Sequence, residues 1–527
     1  MVGRQQASAR SVRPECRQPW TIRRATLHFR RDLAGGDPTS SSSAVRSMFR
    51  RDSLYIGVSA AQLAIAVIVT PILTRLLNPA SYGHIAMANG LSQVFFSFAS
   101  LGFPVSIQKW FAEPNGRQRA RGLAAVAVVI SFLVSGVALA SGVLWSPLVG
   151  FGSFGSLCIL TVVWGAFGTA ATALGAFLRS ADNVWGFAAV NLTASVGMQA
   201  SGILLALASS RTANSVLEGY VVAQGLGLCI AVYLVGPRWR GLRDTRDIRG
   251  ALAFGLPLVP QLVASFVLYG GDRIVIQTLR GAEQVGRYQV AYNLGALAMF
   301  LLGFTSQAWM PRIFAITDKS LQRRVLNQSK TAVNRLLIPV TIGLSLGAPV
   351  VGRFWMPASY DPEKLVSVMV VIAITTVPCA DSLASSRVLL AEARTRSLAI
   401  VTVTASVLNI VLNILLLPEL GLTGSALATF VTYLVLASWS RVLAHRSGRM
   451  TTPLSVNGGL LAALIISVAS TSVPLAPDWL LVRTAGACLC LAWLLLLLRR
   501  VGNDLTAADR IGQPPSRAVA QGDGHAQ

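Results

Sequence analysis

Charge is what this chain has little of. Asp, Glu, Lys and Arg make up only 13% of its 527 residues, against ~25% in an ordinary soluble domain. That scarcity excludes a protein folded around one core in water. Negative charge is scarcest: 21 Asp and Glu stand against 45 Lys and Arg, a formal net charge of +24. Cysteine is sparse too. Cys16, Cys158, Cys229, Cys379, Cys488 and Cys490 form no CxxC pair and show no ligand spacing with the four histidines. Neither a disulfide framework nor a metal centre is expected. No GxxxxGK[ST] occurs, so no built-in ATPase is expected. Gly150-Phe-Gly152-Ser-Phe-Gly155 fits GxGxxG, but it joins two apolar runs and follows no strand, so it is rejected as a dinucleotide site.

What is there is hydrocarbon. Apolar residues make up 53% of the chain, and the mean hydropathy is +0.59. Fourteen apolar spans fall at 54–74, 84–108, 123–145, 154–178, 184–208, 216–236, 251–278, 286–311, 336–352, 365–386, 398–417, 422–440, 455–474 and 479–498. Most approach the ~20 residues needed to cross a bilayer. This pattern predicts an all-α, multi-pass membrane protein. The basic residues are unevenly shared between alternate loops. Those at 109–122, 179–183, 237–249, 312–335, 387–397 and 441–452 hold 22 Lys and Arg, the opposite loops seven. The positive-inside effect explains this better than a nucleic-acid partner. It places both termini in the cytoplasm and the protein in the cell membrane.

Residues 1–53 are polar, with 11 Arg. They read as a basic, disordered cytoplasmic tail, or as sequence upstream of a true start at Met48. Six spans over 54–236 form a first bundle. A cytoplasmic linker at 237–249 leads to a second bundle over 251–444. Spans 13 and 14, at 455–498, are additional, and 499–527 is a disordered tail. The two bundles look related. LLNPASYGHIAMA (76–88) aligns with LRGAEQVGRYQVA (279–291), matching Leu76, Gly83 and Ala88 to Leu279, Gly286 and Ala291. Later, Thr193-Ala-Ser-Val196 matches Thr404-Ala-Ser-Val407. Six is an even number, so these are parallel repeats, and transporters built this way bind substrate between the halves. Pro71, Pro104, Pro257, Pro260, Pro339, Pro349 and Pro378 interrupt spans and predict bent helices.

Charge at membrane depth costs roughly 2.5–3.5 kcal/mol per residue, so it faces a bundle interior or a wet cavity. Asp272 and Arg273 lie inside span 7. Gln261, Ser265, Tyr269 and Asp272 recur at i, i+4, i+8 and i+11, a single helical face. Asn89, Gln93, Phe96 and Ser100 repeat that pattern in span 2. Span 1 offers Ser59 and Gln62. Span 8 offers Gln289, Asn293 and Gln307. Spans 1, 2, 7 and 8 occupy corresponding positions in the halves, which points to a central hydrophilic cavity. Interhelical amide bonding or simple charge pairing would give the same residues a purely structural role. Asp381 and Arg387, around span 10, form a second charged site or mark a helix end.

LTRLLNPASYGHIAMANGLSQVFFSFASLGFPVSIQKWF (73–111) resembles the first hairpin of the Wzx-type polysaccharide flippases, in the multidrug/oligosaccharidyl-lipid/polysaccharide exporter (MOP) superfamily. The matching features are Leu76-Leu77, Tyr82-Gly83, Leu101-Gly102 and Lys109. FGLPLVP (254–260), Asp272-Arg273, Val285-Gly286 with Tyr288, and LNIVLNILLLPELGLTGSALAT (408–429) extend the resemblance. It implies two six-helix bundles set in a V around a cavity. It also implies transfer of an undecaprenyl- or other polyprenyl-diphosphate-linked oligosaccharide from the inner to the outer leaflet, by alternating access. Arg273 would then meet a diphosphate or acidic glycan, since guanidinium suits phosphate geometry. Asp272 would hold Arg273 or serve a coupling ion. Expected substrate-contacting residues are therefore Arg273, Asp272, Gln261, Ser265, Gln62, Asn89, Gln93, Asn293 and Gln307. Catalytic residues, a metal and an organic cofactor are not expected. H+, Na+ or membrane-potential coupling is open. Membrane lipids, a polysaccharide polymerase and glycosyltransferases are the expected partners. A MATE-like cation antiporter is the rival within this fold, though the first-half spans lack deep acids. A membrane polymerase or ligase is the rival enzyme, though the outer loops are short.

Overall fold

The computed structural model describes residues 65, 68–114, 116–300, 302–303, 319–392, 394–445 and 453–511. Among these every regular element is a helix. The expected tail at 1–53, most of span 1, and the sites Ser59, Gln62 and Gln307 lie outside the described residues.

The chain enters as α1 (68–76), then α2 (Pro79–Ser100), α3 (Phe103–Phe111), α4 (Gly116–Ala140), α5 (Ser156–Ser180), α6 (Val184–Ala208) and α7 (Ala213–Val235). The second half holds α8 (Thr245–Gly255), α9 (Val259–Arg280), α10 (Ala282–Gly295), α11 (Lys319–Trp355), α12 (Val366–Ala391) and α13 (Thr395–His445). Then follow α14 (Leu454–Thr471) and α15 (Pro477–Ile511). Local chemistry sets several starts. The Asn78 side chain accepts from Ser81 N–H at 2.8 Å, with Pro79 next in line. Asn183 caps α6 through Gly186 N–H at 3.0 Å. Such caps satisfy donors that the first helical turn leaves open.

Ten described helices are long and apolar enough to cross a membrane, or eleven with α2 and α3 joined as one bent span. The fourteen expected spans reduce to that number for plain reasons. Spans 11 and 12 run together as α13, with only Gly421 (φ 59°, ψ −148°) between two helical arms. Spans 1 and 8 are described only in part. One expected bend, in span 2, exceeds 40° among the described residues. Span 2 breaks by 47° at Leu101 (φ 42°) and Gly102 (φ 75°). Span 7 passes through a 3-10 turn, Leu256–Leu258, which contains Pro257 and is followed by Pro260 in the first turn of α9. Pro339, Pro349 and Pro378 sit inside α11 and α12. Span 5 contains a π-helical turn, Thr193–Gly197.

Packing follows the sequence repeat. In the first half α5 packs against α2, α4 and α7; in the second, α12 packs against α10, α11 and α13. The halves meet where α2 lies along α9 and α10. Here the matched glycines face each other. A Cβ on Gly83 would fall 1.8 Å from the Ala282 carbonyl oxygen, and one on Gly286 would fall 1.9 Å from that of Pro79. Small residues at such crossings let membrane helices approach closely. The hydrogen bonds beside this crossing are also paired. Thr74 Oγ1 donates to Trp355 O at 3.2 Å, and Gln277 Nε2 donates to Gly150 O at 2.9 Å. Thr74 and Gln277 are equivalent in the alignment that matches Leu76 to Leu279. Tyr360 adds a third tie, donating to Leu77 O at 3.1 Å, and its burial pushes the phenol pKa well up.

The end of the bundle with these contacts is the turn face. At the opposite linker face, α3 packs on α8. Gly102 there meets Gly255, so that a Cβ on Gly102 would lie 2.5 Å from the Gly255 Cα. Ser106 Oγ donates to Ala251 O at 3.1 Å, and Arg119 pairs with Asp247 and Glu113. α14 and α15 pack on α11 and add no wall to the space between the halves.

Candidate functional site

A cavity of roughly 350 Å³ lies between the halves. The first half contributes α1, α2, α5, α6 and α7; the second contributes α9, α10 and Trp355 of α11. Its wall mixes aromatic rings with amides and holds one charged side chain, Arg273, among the described residues.

Arg273 is held on all sides. Its side chain is 6% exposed and that of Asp272 is 3% exposed, and both lie within the candidate membrane span Thr245–Arg280. Nη1 meets Asp272 Oδ1 at 2.6 Å and also donates to the Tyr269 carbonyl. Nε donates to Gln289 Oε1 at 2.9 Å. The guanidinium lies 4.1 Å from the Tyr292 ring centroid, a cation–π contact. Asp272 is satisfied in turn: it accepts from Arg273 N–H at 2.9 Å, and Tyr288 O–H donates to its Oδ2 at 2.7 Å. The chain of bonds then crosses to the first half. Gln289 Nε2 donates to Asn293 Oδ1 at 2.7 Å, and Asn293 Nδ2 reaches Tyr82 Oη at 3.4 Å. Removing a buried charge from water is repaid only when pairing is this complete. The Nη2 group alone donates to no described residue, and the side chain borders the cavity. Two N–H bonds of a fixed, charged fork thus engage no described residue and could meet an incoming acceptor.

Arg273, Asn89, Gln93 and Asn293 all line the cavity, together with Gln289. Asp272 lies behind Arg273, between α9 and α10, and positions it rather than facing the space. Gln261 and Ser265 are not on the wall; Ser265 Oγ bonds its own helix at the Gln261 carbonyl, 2.9 Å away. The face of α9 that does line the cavity is Phe266, Tyr269, Gly270 and Arg273. It is rotated by roughly one residue's turn, about 100°, from the polar stripe read off the spacing. Gln261 also lies twelve residues before Arg273, which is ~18 Å along a helix. In α2, Phe96 packs edge-on against Phe266 at 6.1 Å, and Ser100 bonds Ser97 O. Both serve packing.

Sequence reasoning missed the aromatic part of the wall. Tyr82, Trp164, Tyr220 and Tyr292 border the cavity, and Tyr220 O–H donates to Gln199 Oε1 at 2.8 Å. Aromatics in apolar spans read as core, and only the Tyr288–Tyr292 spacing beside Asp272-Arg273 hinted otherwise. Asp381 joins a second cluster, pairing with Lys330 at 2.5 Å and Arg441 at 2.6 Å. It ties α11, α12 and α13 together away from the cavity.

Comparison with known proteins agrees with this architecture. The family model for "Polysaccharide biosynthesis protein" matches residues 51–317. A curated relative, the "Probable flippase AglR" of Haloferax volcanii, is 28% identical over 167 residues. That alignment covers 31% of this chain and 34% of the relative, so the chain matches about a third of the relative's length. Among solved structures, "Lipid II flippase MurJ, inward closed conformation" superposes with a TM-score of 0.63 at 16% identity, covering 85% of this chain and 99% of that one. An inward-facing multidrug resistance MATE family transporter of the MOP superfamily gives 0.53 at 13% identity, covering 79% and 99%. The MATE multidrug transporter DinF-BH gives 0.55 at 14% identity, covering 77% and 97%. At such identities the structural likeness establishes the fold alone: this is a multi-pass membrane protein with the MOP fold, and it belongs to the polysaccharide biosynthesis protein family.

Proposed function

We propose that the chain is a transporter, not an enzyme, and that it moves a polyprenyl-diphosphate-linked oligosaccharide across the membrane by alternating access. One observation carries this reading: a guanidinium held inside a candidate membrane span borders a cavity between two repeat-related bundles, with its Nη2 group donating to no described residue. A lipid-linked sugar can leave its hydrocarbon tail in the bilayer while its head crosses. The head needs hydroxyl and amide partners and a cation for phosphate, which Arg273, Asn89, Gln93 and Asn293 can provide. The paired contacts of the turn face and the Gly102–Gly255 contact of the linker face would break in alternation.

The loop asymmetry, 22 Lys and Arg against seven, supports a cell-membrane protein with both termini in the cytoplasm. Its linker face would be cytoplasmic. Coupling to H+, Na+ or the membrane potential, with glycosyltransferases upstream and a polysaccharide polymerase downstream, completes the reading. The MATE-type neighbours keep cation export as the second reading. Against it, no acidic side chain borders the cavity among the described residues. Asp272, the nearest, is already bonded to Arg273 and Tyr288.

Reconstitution tests the proposal. Vesicles containing the purified chain should move a labelled polyprenyl-diphosphate oligosaccharide between leaflets, and Arg273→Ala should abolish movement while the protein remains folded and inserted. Undiminished movement by Arg273→Ala would remove the guanidinium from the mechanism. Export of an organic cation with no movement of the glycolipid would transfer the chain to the second reading.

A further inference from the structure

The first half's wall continues past the central cavity toward the linker face. On α5 the cavity residue Trp164 is followed by Gly168, Thr172 and Arg179 at i+4, i+8 and i+15, one helical face. On α7 Gln224 follows the cavity residue Tyr220 by one turn. With Gln108 of α3 and Asn191 of α6, these residues line a second cavity of roughly 190 Å³. Two of its side chains suit a ligand. Gln224 is only 9% exposed, and its Oε1 has no hydrogen-bond partner among the described residues. Gly168 leaves its amide room, since a Cβ there would fall 2.9 Å from Gln224 Nε2. A buried acceptor without a donor is costly, and a ligand hydroxyl that donates to it removes the cost. Arg179 stands exposed in the last turn of α5, its guanidinium 4.7 Å from the Phe187 ring centroid. A guanidinium stacked by its flat face keeps an N–H edge that suits phosphate.

We infer that the linker end of the first half is a loading site for the transported glycolipid: Arg179 takes its phosphate while Gln224 accepts a hydrogen bond from a hydroxyl of the attached glycan, before the head passes to Arg273. This rests on the flippase reading of the central cavity. The hydrocarbon tail at first keeps the phosphate near the membrane surface, and Arg179 is where the apolar run 154–178 meets its loop. The glycan is free of the tail and reaches inward along the α5 face. Eleven residues, ~17 Å of helix, separate Arg179 from the glycine beside Gln224. A ligand that engages both therefore carries a phosphate at one end of an extended, hydroxylated head. An ordinary phospholipid offers the phosphate without that reach. The amides of Gln108 and Asn191 both donate and accept, which matches a chain of hydroxyls. Transfer onward hands the phosphate from a cation of the first half to one of the second.

The test measures leaflet transfer of a labelled polyprenyl-diphosphate oligosaccharide by vesicles containing the full chain, over a range of glycolipid mole fractions. Arg179→Gln should raise the half-saturating mole fraction about tenfold or more, and Gln224→Leu about three- to tenfold, without the collapse of maximal rate expected of Arg273→Ala. If Gln224→Leu folds poorly, Gly168→Ala replaces it, because its methyl displaces the same amide. Glycan-free polyprenyl diphosphate is then added as a competitor. Arg179→Gln should weaken its inhibition, and Gln224→Leu should leave it as in the wild type. Unchanged half-saturation in both folded variants would overturn the inference and leave the flippase reading intact. Equal inhibition by phosphatidylglycerol, lost in Arg179→Gln, would make Arg179 an ordinary lipid-headgroup contact and also overturn it. No transfer by the wild type would overturn the flippase reading itself, and this inference with it.

Discussion

Gly83→Ala puts the proposed turn-face gate to a direct test. The added methyl would lie 1.8 Å from the Ala282 carbonyl oxygen, 2.8 Å from its carbon and 2.9 Å from the Gly286 nitrogen, all backbone. No side chain can rotate away. Carbon and oxygen need roughly 3.3 Å between centres, so α2 and α10 must part by more than an ångström at the point where the halves touch. Overpacking of this kind costs about 1–3 kcal/mol. Placed at a contact made only in the turn-closed state, it would shift the population roughly 5- to 150-fold toward the turn-open state. The assay is labelling of a single cysteine at Asn89, in a background without native cysteines, by a membrane-impermeant maleimide added from the turn-face side. Gly83→Ala should speed labelling by at least that lower factor. Gly286→Ala should do the same, because its methyl would lie 1.9 Å from the Pro79 carbonyl oxygen. Gly136→Ala, with nothing within 4 Å of the new methyl, should leave the rate unchanged. Wild-type labelling in both crossing variants, with folded protein, would refute the reasoning.

Asp272→Ala leaves a 5%-exposed Arg273 without its carboxylate and should cost about 3–5 kcal/mol, read as a fall in thermal midpoint in detergent; a shift near zero would mean that Tyr269 and Gln289 hold the guanidinium unaided. Asn413→Ala removes three buried bonds, to the Asn409 carbonyl, the Asn409 side-chain amide oxygen and Ser425, at ~0.6–2 kcal/mol each; its effect should exceed that of Asn214→Ala, a half-buried residue whose amide makes a solvent-exposed bond to Ser156. Gly102→Ala combines a left-handed φ of 75° with a clash 2.5 Å from Gly255. Gly152→Ala has a φ of 71° and open space, so it should show backbone strain alone, about 1–2 kcal/mol, and the larger loss should fall on Gly102→Ala in a side-by-side unfolding experiment.

How far the site could be read from sequence depends on which term sets each feature. Asp272 and Arg273 were legible because charge at membrane depth must be paired or wet, whatever the fold. Asn89, Gln93 and Asn293 were legible for a weaker form of the same reason. The orientation of α9 was not. Gln261 and Ser265 share a face with Asp272 by spacing, yet the wall is built from Phe266, Tyr269, Gly270 and Arg273. A helix can rotate by one residue without changing its polar count, and packing on α10 and α13 decides the phase. A bend in span 2 was legible from Pro104, but not its close approach to Gly255, 153 residues away in the chain.

The repeat was legible from few matches, and the structure explains why those few were informative. Two parallel repeats related by an axis through the membrane touch on that axis only through equivalent positions. Gly83 and Gly286 are equivalent and touch, and each abuts the residue that starts the other's helix, Ala282 or Pro79. A larger side chain at either would separate the halves, so the contact itself requires the glycines that made the alignment visible. The charge does not follow this symmetry. In the same register Arg273 corresponds to Thr70 and Asp272 to Val69, and both of these border the cavity uncharged. A symmetric frame thus encloses an asymmetric wall. Arg273, the one charged side chain on the wall among the described residues, lies on the α9–α10 side, where the proposed phosphate-bearing head would dock. Moving the pair to the first half, with Val69→Asp and Thr70→Arg in an Asp272→Val, Arg273→Thr background, should keep the fold and relocate that head to α1 and α2.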